Sequence, residues 1–149
     1  MNIFLYAMTE SFEKMNNQID SILKASIYSE EEKNRIFLSV GSCLHCILDY
    51  AERVDVNEND KRFVSAFRYA NNNLKHDITV LKITEHEGGI EFPISFPLEI
   101  PERQIVWEIF SDGGLESQKK NYLRFLKGKD VIGTCGEIIN ILKNYDLGN

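Results

Sequence analysis

The chain of 149 residues carries a formal net charge of −6, which argues against broad electrostatic capture of nucleic acid and leaves room only for a local basic groove. Its 43% hydrophobic content describes an ordinary globular core, so residues 1–149 are expected to form one domain without a disulfide framework. No apolar run is long enough to cross a bilayer, residues 3–8 lack the basic leader of a signal peptide, and the three cysteines read as reduced thiols, so the expected setting is the cytoplasm with no membrane partner.

Residues 2–27 place Phe4, Met8, Phe12, Met15, Ile19, Ile22 and Leu23 on one side at helical spacing, which predicts a long first helix. Ser29 followed by Glu30, Glu31 and Glu32 has the form of a capping box with acids suited to a helix N-terminus. The second helix starts there, and its apolar stripe, from Ile36 and Phe37 through Leu44 and Ile47 to Val54, is wide enough to make it the central one. Within it, Cys43-Leu44-His45-Cys46 has metal-ligating residue types, but Cys43 and Cys46 lean to the apolar side while His45 turns away. Core packing is therefore expected, with no metal and no cofactor. His45 and Asp49, four apart on the polar side, are spaced to interact as a surface or interface pair.

Residues 55–60 form a short polar link with several candidate N-caps, after which the third helix begins. At about 100° per residue, Phe63, Phe67, Ala70 and Leu74 fall in one apolar stripe, and Lys61, Ser65, Arg68, Asn72, Lys75 and His76 lie opposite. Between Lys61 and Asp77 no acid interrupts the cations and the single histidine, the composition of an anion-facing surface. Asn71, Asn72 and Asn73 are poor helix formers placed consecutively in that face, which suggests that side-chain amides are wanted there.

The period then changes. Residues 78–84 are rich in β-branched side chains, and residues 85–89 contain a glycine turn in which His86 is a solvated loop residue. Ile90, Phe92, Ile94, Phe96, Leu98 and Ile100 alternate with polar residues, among them Pro93 and Pro97, which reads as an edge strand or extended arm and a candidate association surface. Residues 104–110, around Trp107, should pair with the first strand, giving a small antiparallel β insertion at about 78–110. Residues 111–114 break the sheet and a polar-capped helix follows, with Tyr122, Phe125 and Leu126 inside. A last helix carries Val131, Ile138, Ile139 and Leu142, with Thr134 and Glu137 spaced as a capping box. The expected class is mainly α: an up-and-down bundle of four to five helices with a β insertion after the third.

The Phe67-Arg68 entry, the Asn71-Asn72-Asn73 middle and the Leu74-Lys75-His76 end of helix three, with the run from Gly128 to Thr134 before a terminal helix, resemble the HEPN superfamily of helical domains. HEPN nucleases separate their arginine and histidine by four to six residues. Here seven intervene between Arg68 and His76, which turns the histidine by about 100° relative to the longest of those spacings.

The resemblance implies metal-independent RNA cleavage at a homodimer interface, in a toxin–antitoxin or phage-defence setting with an antitoxin or other protein as partner. In that scheme Arg68 and His76 are catalytic, Arg68 stabilising charge on phosphorus and His76 transferring a proton, while Lys61, Asn72 and Lys75 bind substrate. The rival expectation is a non-catalytic helical module that binds a protein or nucleotide partner. The acidic total and the long spacing favour it; the acid-free helix face favours the nuclease.

Overall fold

The computed structural model describes residues 2–25, 27–76, 80–84, 103–108 and 114–145. Its elements are α1 (Ile3–Lys24), α2 (Glu30–Arg53), α3 (Glu58–His76), β1 (Leu81–Thr84), β2 (Gln104–Trp107), α4 (Glu116–Phe125) and α5 (Val131–Leu142). The class is the expected one, a mainly helical bundle with a small antiparallel sheet after the third helix. None of these helices is long and apolar enough to cross a membrane.

The first two helices form where their patterns place them. Asn2 caps α1 by accepting from the Phe4 N–H at 2.8 Å, and Met8, Met15, Ile19 and Ile22 are buried. Ser29 caps α2, its hydroxyl accepting from Glu32 N–H at 3.1 Å. The α2 stripe buries against α1 along most of its length and also meets α3 and α5, so α2 is indeed central. Asn57 starts α3 by accepting from the Asp60 N–H at 2.9 Å, and Tyr145 locks that corner by donating to Asp60 Oδ2 at 2.5 Å.

The far end of the bundle is organised by Trp107, which is fully buried. β1 and β2 pair with Leu81 opposite Trp107 and Thr84 opposite Gln104. The other edge of β2 is covered by the turn after α4: Trp107 N–H donates to Lys129 O at 3.0 Å, and Gly128 N–H donates to Trp107 O at 2.7 Å. The indole meets Phe67 of α3 edge-on and donates to Thr134 Oγ1 of α5 at 2.8 Å. At the entry to β2, Arg103 reaches back to the C-terminal end of α1, donating to Ala25 O at 2.6 Å and Ile22 O at 3.3 Å, which occupies carbonyls a helix end leaves open.

Two caps differ from the sequence pattern. Thr134 is not an N-cap: the cap of α5 lies four residues earlier, where Asp130 Oδ2 accepts from the Gly133 N–H at 2.6 Å, and the Thr134 hydroxyl is instead claimed by Trp107. The N-cap of α4 is Leu115, which has no side chain to cap with. What enforces that bend is Gly114, at φ +102°, where an added Cβ would lie 2.8 Å from the Tyr69 ring. Tyr69 stacks in turn on Tyr122 with centroids 4.9 Å apart, and the Tyr122 hydroxyl donates to Glu108 O at 2.6 Å. The proline-bearing alternation at residues 90–100, the turn with His86, and residues 111–113 lie outside the described residues.

Candidate functional site

The apolar stripe of α3 is buried as its spacing requires, with Phe63, Phe67 and Ala70 inside and Leu74 half-buried. Its opposite face meets α2. The two helices run in opposite senses: Glu52 near the end of α2 faces Arg68, while His45, seven residues earlier, shares a cavity wall with Lys75, seven residues later. Between them is a polar cleft of about 360 Å³. Arg68, Asn72 and Lys75 of α3 line one side, His45 and Asp49 of α2 the other, and Gln118 of α4 the end.

Three of the five sequence-derived site residues are thus brought together. Arg68 is about a third exposed, and its Nη1 donates to Glu52 Oε1 at 2.9 Å. The acid missing from α3 between Lys61 and His76 is supplied across the groove. Lys61 pairs with Glu58 at 3.4 Å and does not line the cleft, sitting roughly 10 Å from Arg68 along the helix axis. His76 is exposed at the last position of α3 and does not line the cleft either. Eight residues at 1.5 Å each separate it from Arg68 by about 12 Å of rise.

The asparagine triplet divides its labour. Asn71 is buried at the floor between the helices, Asn72 faces the cleft, and Asn73 Nδ2 donates back to Tyr69 O at 2.8 Å. Asn72 is the exposed amide of the three that lines the cleft.

Three cleft residues, His45, Glu52 and Gln118, were not singled out for chemistry by sequence. His45 was visible as one half of an i, i+4 pair with Asp49, but nothing in that spacing shows that the pair looks onto Arg68 and Lys75. Gln118 is on a helix 50 residues downstream of Arg68. Its Oε1 is buried and accepts no hydrogen bond among the described residues. The cleft therefore offers cationic and amide donors beside carboxylate and amide acceptors, a lining that suits a phosphate attached to a hydroxylated sugar.

A second, larger cavity of about 710 Å³ opens from the same groove. Phe37, Leu38, Gly41 and Leu74 give it apolar walls, and it shares His45, Asn71 and Lys75 with the polar cleft. Among the described residues no cluster of three or more His, Cys, Asp or Glu side chains is arranged to hold a metal ion. Cys43 and Cys135 are buried thiols of the core, and a hydrogen bond with Cys43, followed by burial, pushes the Cys135 thiol well up. Comparison of the chain with family models, curated proteins and solved structures finds no match.

Proposed function

We propose that the α2/α3 cleft binds the RNA phosphodiester and that the protein is a metal-independent endoribonuclease of HEPN type, acting in the cytoplasm in a toxin or defence role. The observation that carries the reading is the convergence of Arg68, Asn72 and Lys75 on one cleft from successive turns of α3. The reaction is attack of a ribose 2′-hydroxyl on the adjacent phosphorus. The hydroxyl proton passes to a base, the bond to the 5′-oxygen breaks, and that oxygen takes a proton, leaving a 2′,3′-cyclic phosphate and a 5′-hydroxyl.

Arg68 suits the charge that builds on the non-bridging oxygens, because its planar fork offers parallel donors. Lys75 and Asn72 hold the phosphate, and Lys61 meets the strand further along α3. His76 carries the proton transfer. With about 12 Å of helix between them, His76 and Arg68 act on one phosphate when two copies pair about a two-fold axis and each lends its His76 to the other's Arg68. An antitoxin partner would block the groove that results.

The test is incubation of the purified chain with end-labelled RNA in excess chelator, beside Arg68→Ala and His76→Ala. Cleavage to cyclic-phosphate ends is expected, reduced at least about a hundredfold in either variant. Undiminished cutting by both variants would remove the assigned residues.

The second reading, a non-catalytic module that binds a protein or nucleotide partner, is favoured by one observation: Arg68 is already neutralised by Glu52. A chain that binds RNA in the cleft and never cuts it would be of that kind.

A further inference from the structure

The apolar trough beside the cleft has a composition that a phosphate site alone does not require. Leu38 of α2 stands 73% exposed and lines this trough. Leu74 of α3, half-buried, lines the same trough, and Gly41 gives it a floor without a side chain, where an added Cβ would make ordinary contact with Leu74 Cδ2 at 3.6 Å. Asn34 and Ser42 add exposed polar groups at the rim. At one end the trough runs into Lys75 and His45, which also line the polar cleft.

An occupant must therefore be apolar on its faces, polar around its edge and joined to an anion. A purely apolar partner surface would desolvate Lys75 without pairing it. We infer that the trough is a nucleobase subsite: it takes one unpaired base of a nucleoside phosphate whose phosphate lies on Lys75 and Arg68. This rests on the phosphate cleft of the proposed function and adds a substrate class to it. A base held between Leu38 and Leu74 is out of its stack, so the ligand is single-stranded.

Calorimetric titration of the full chain with a nucleoside 3′-monophosphate, ribose phosphate and inorganic phosphate tests the assignment. These ligands contain no bond for the proposed reaction to cut. The nucleoside monophosphate should bind at least about tenfold tighter than ribose phosphate, the gain expected from taking the faces of a base out of water between apolar side chains. Leu38→Ser and Gly41→Leu should abolish that difference, the first by removing a wall and the second by filling the floor. Ribose phosphate should bind both variants as it binds the unaltered chain, which also reports that they are folded.

Equal binding of nucleoside and ribose phosphates would overturn the inference, as would a base-dependent gain that survives both substitutions. If Leu38→Ser turns a dimer into a monomer in light scattering and leaves nucleotide affinity unchanged, the trough belongs to a second copy of the chain. Base-dependent binding by a protein that cuts no RNA would sink the cleavage reading and leave the subsite standing. RNA cutting with no base dependence would do the reverse.

Discussion

Glu52 is the group that most directly opposes an anion at Arg68, so Glu52→Gln is the sharpest perturbation of the cleft. Two unit charges 2.9 Å apart attract by about 1.4 kcal/mol in a medium as polar as water. Glu52 is 61% exposed, so the lower end of the electrostatic range applies, and exposed pairs of this kind contribute roughly 0.2–1 kcal/mol. A phosphate that takes Arg68 must displace or share that partner. Neutralising Glu52 should therefore tighten binding of an uncleavable single-stranded oligonucleotide by about two- to fivefold, at a stability cost below about 1 kcal/mol.

The assay is fluorescence polarisation with an all-deoxy strand at low and at high salt, where screening should shrink the gain. The matched control is Glu31→Gln, which frees Arg35 and changes net charge by the same unit but lies outside the cleft. It should alter affinity less than about twofold. Equal gains in the two variants would mean that only total charge matters, and weaker binding by Glu52→Gln would mean that Glu52 orients Arg68 for the ligand instead of competing with it.

Two further predictions concern the frame that holds α3. Thr134→Val keeps the shape but leaves the buried Trp107 N–H without its acceptor, which should cost about 1–3 kcal/mol and lower the melting midpoint by roughly 2–10 °C; Trp107 is the single tryptophan, so its own fluorescence in urea titration reads the loss, and a change under about 0.5 kcal/mol would contradict the assignment. Burial, with smaller contributions from Glu108 and Tyr69, raises the Tyr122 phenol above its usual range. The folded state then holds a proton that the unfolded chain releases near pH 10, so this stability is complete below about pH 10 and falls by about 1.4 kcal/mol per unit above it. Tyr122→Phe should be less stable at neutral pH through loss of the bond to Glu108 O, yet show a shallower alkaline decline in denaturant midpoint; parallel declines in the two proteins would refute this.

The helices were legible because each carries its own evidence: an apolar stripe at 3.6-residue spacing and, for α2, a capping serine with acids in the first turn. The pairing of β1 with β2 was legible from β-branched content on either side of an insertion. The ends of α4 and α5 were not. A threonine three residues before a glutamate satisfies the capping pattern at Thr134, and only the arrival of Trp107 from 27 residues upstream decides that its hydroxyl is used inside the helix. At α4 the start is set by a glycine under a tyrosine ring from another helix, a constraint with no local signature.

The site divides along the same line. A helical wheel is enough to put Arg68, Asn72 and Lys75 on one side of α3, and the structure gathers those three in one cleft. It is silent about what stands across from them. The acid-free run from Lys61 to His76 looked cationic because the sequence was scanned along one element, whereas Glu52 and Asp49 meet that face from the antiparallel neighbour. The field at the cleft is thus the sum of two helices read in opposite directions, and its sign is set by pairs such as Arg68 with Glu52 rather than by either helix alone. The same argument moves attention to imidazoles. His76 is bound to the α3 face by sequence, but the turn of about 100° that separates it from Lys75 takes it off the cleft wall, whereas His45 reaches the cleft only because α2 runs back along α3. A titration of RNA cutting in His45→Ala beside His76→Ala therefore asks a question the linear spacing could not pose: loss in His76→Ala alone is what the two-fold scheme requires, and loss in His45→Ala alone would place proton transfer within a single chain.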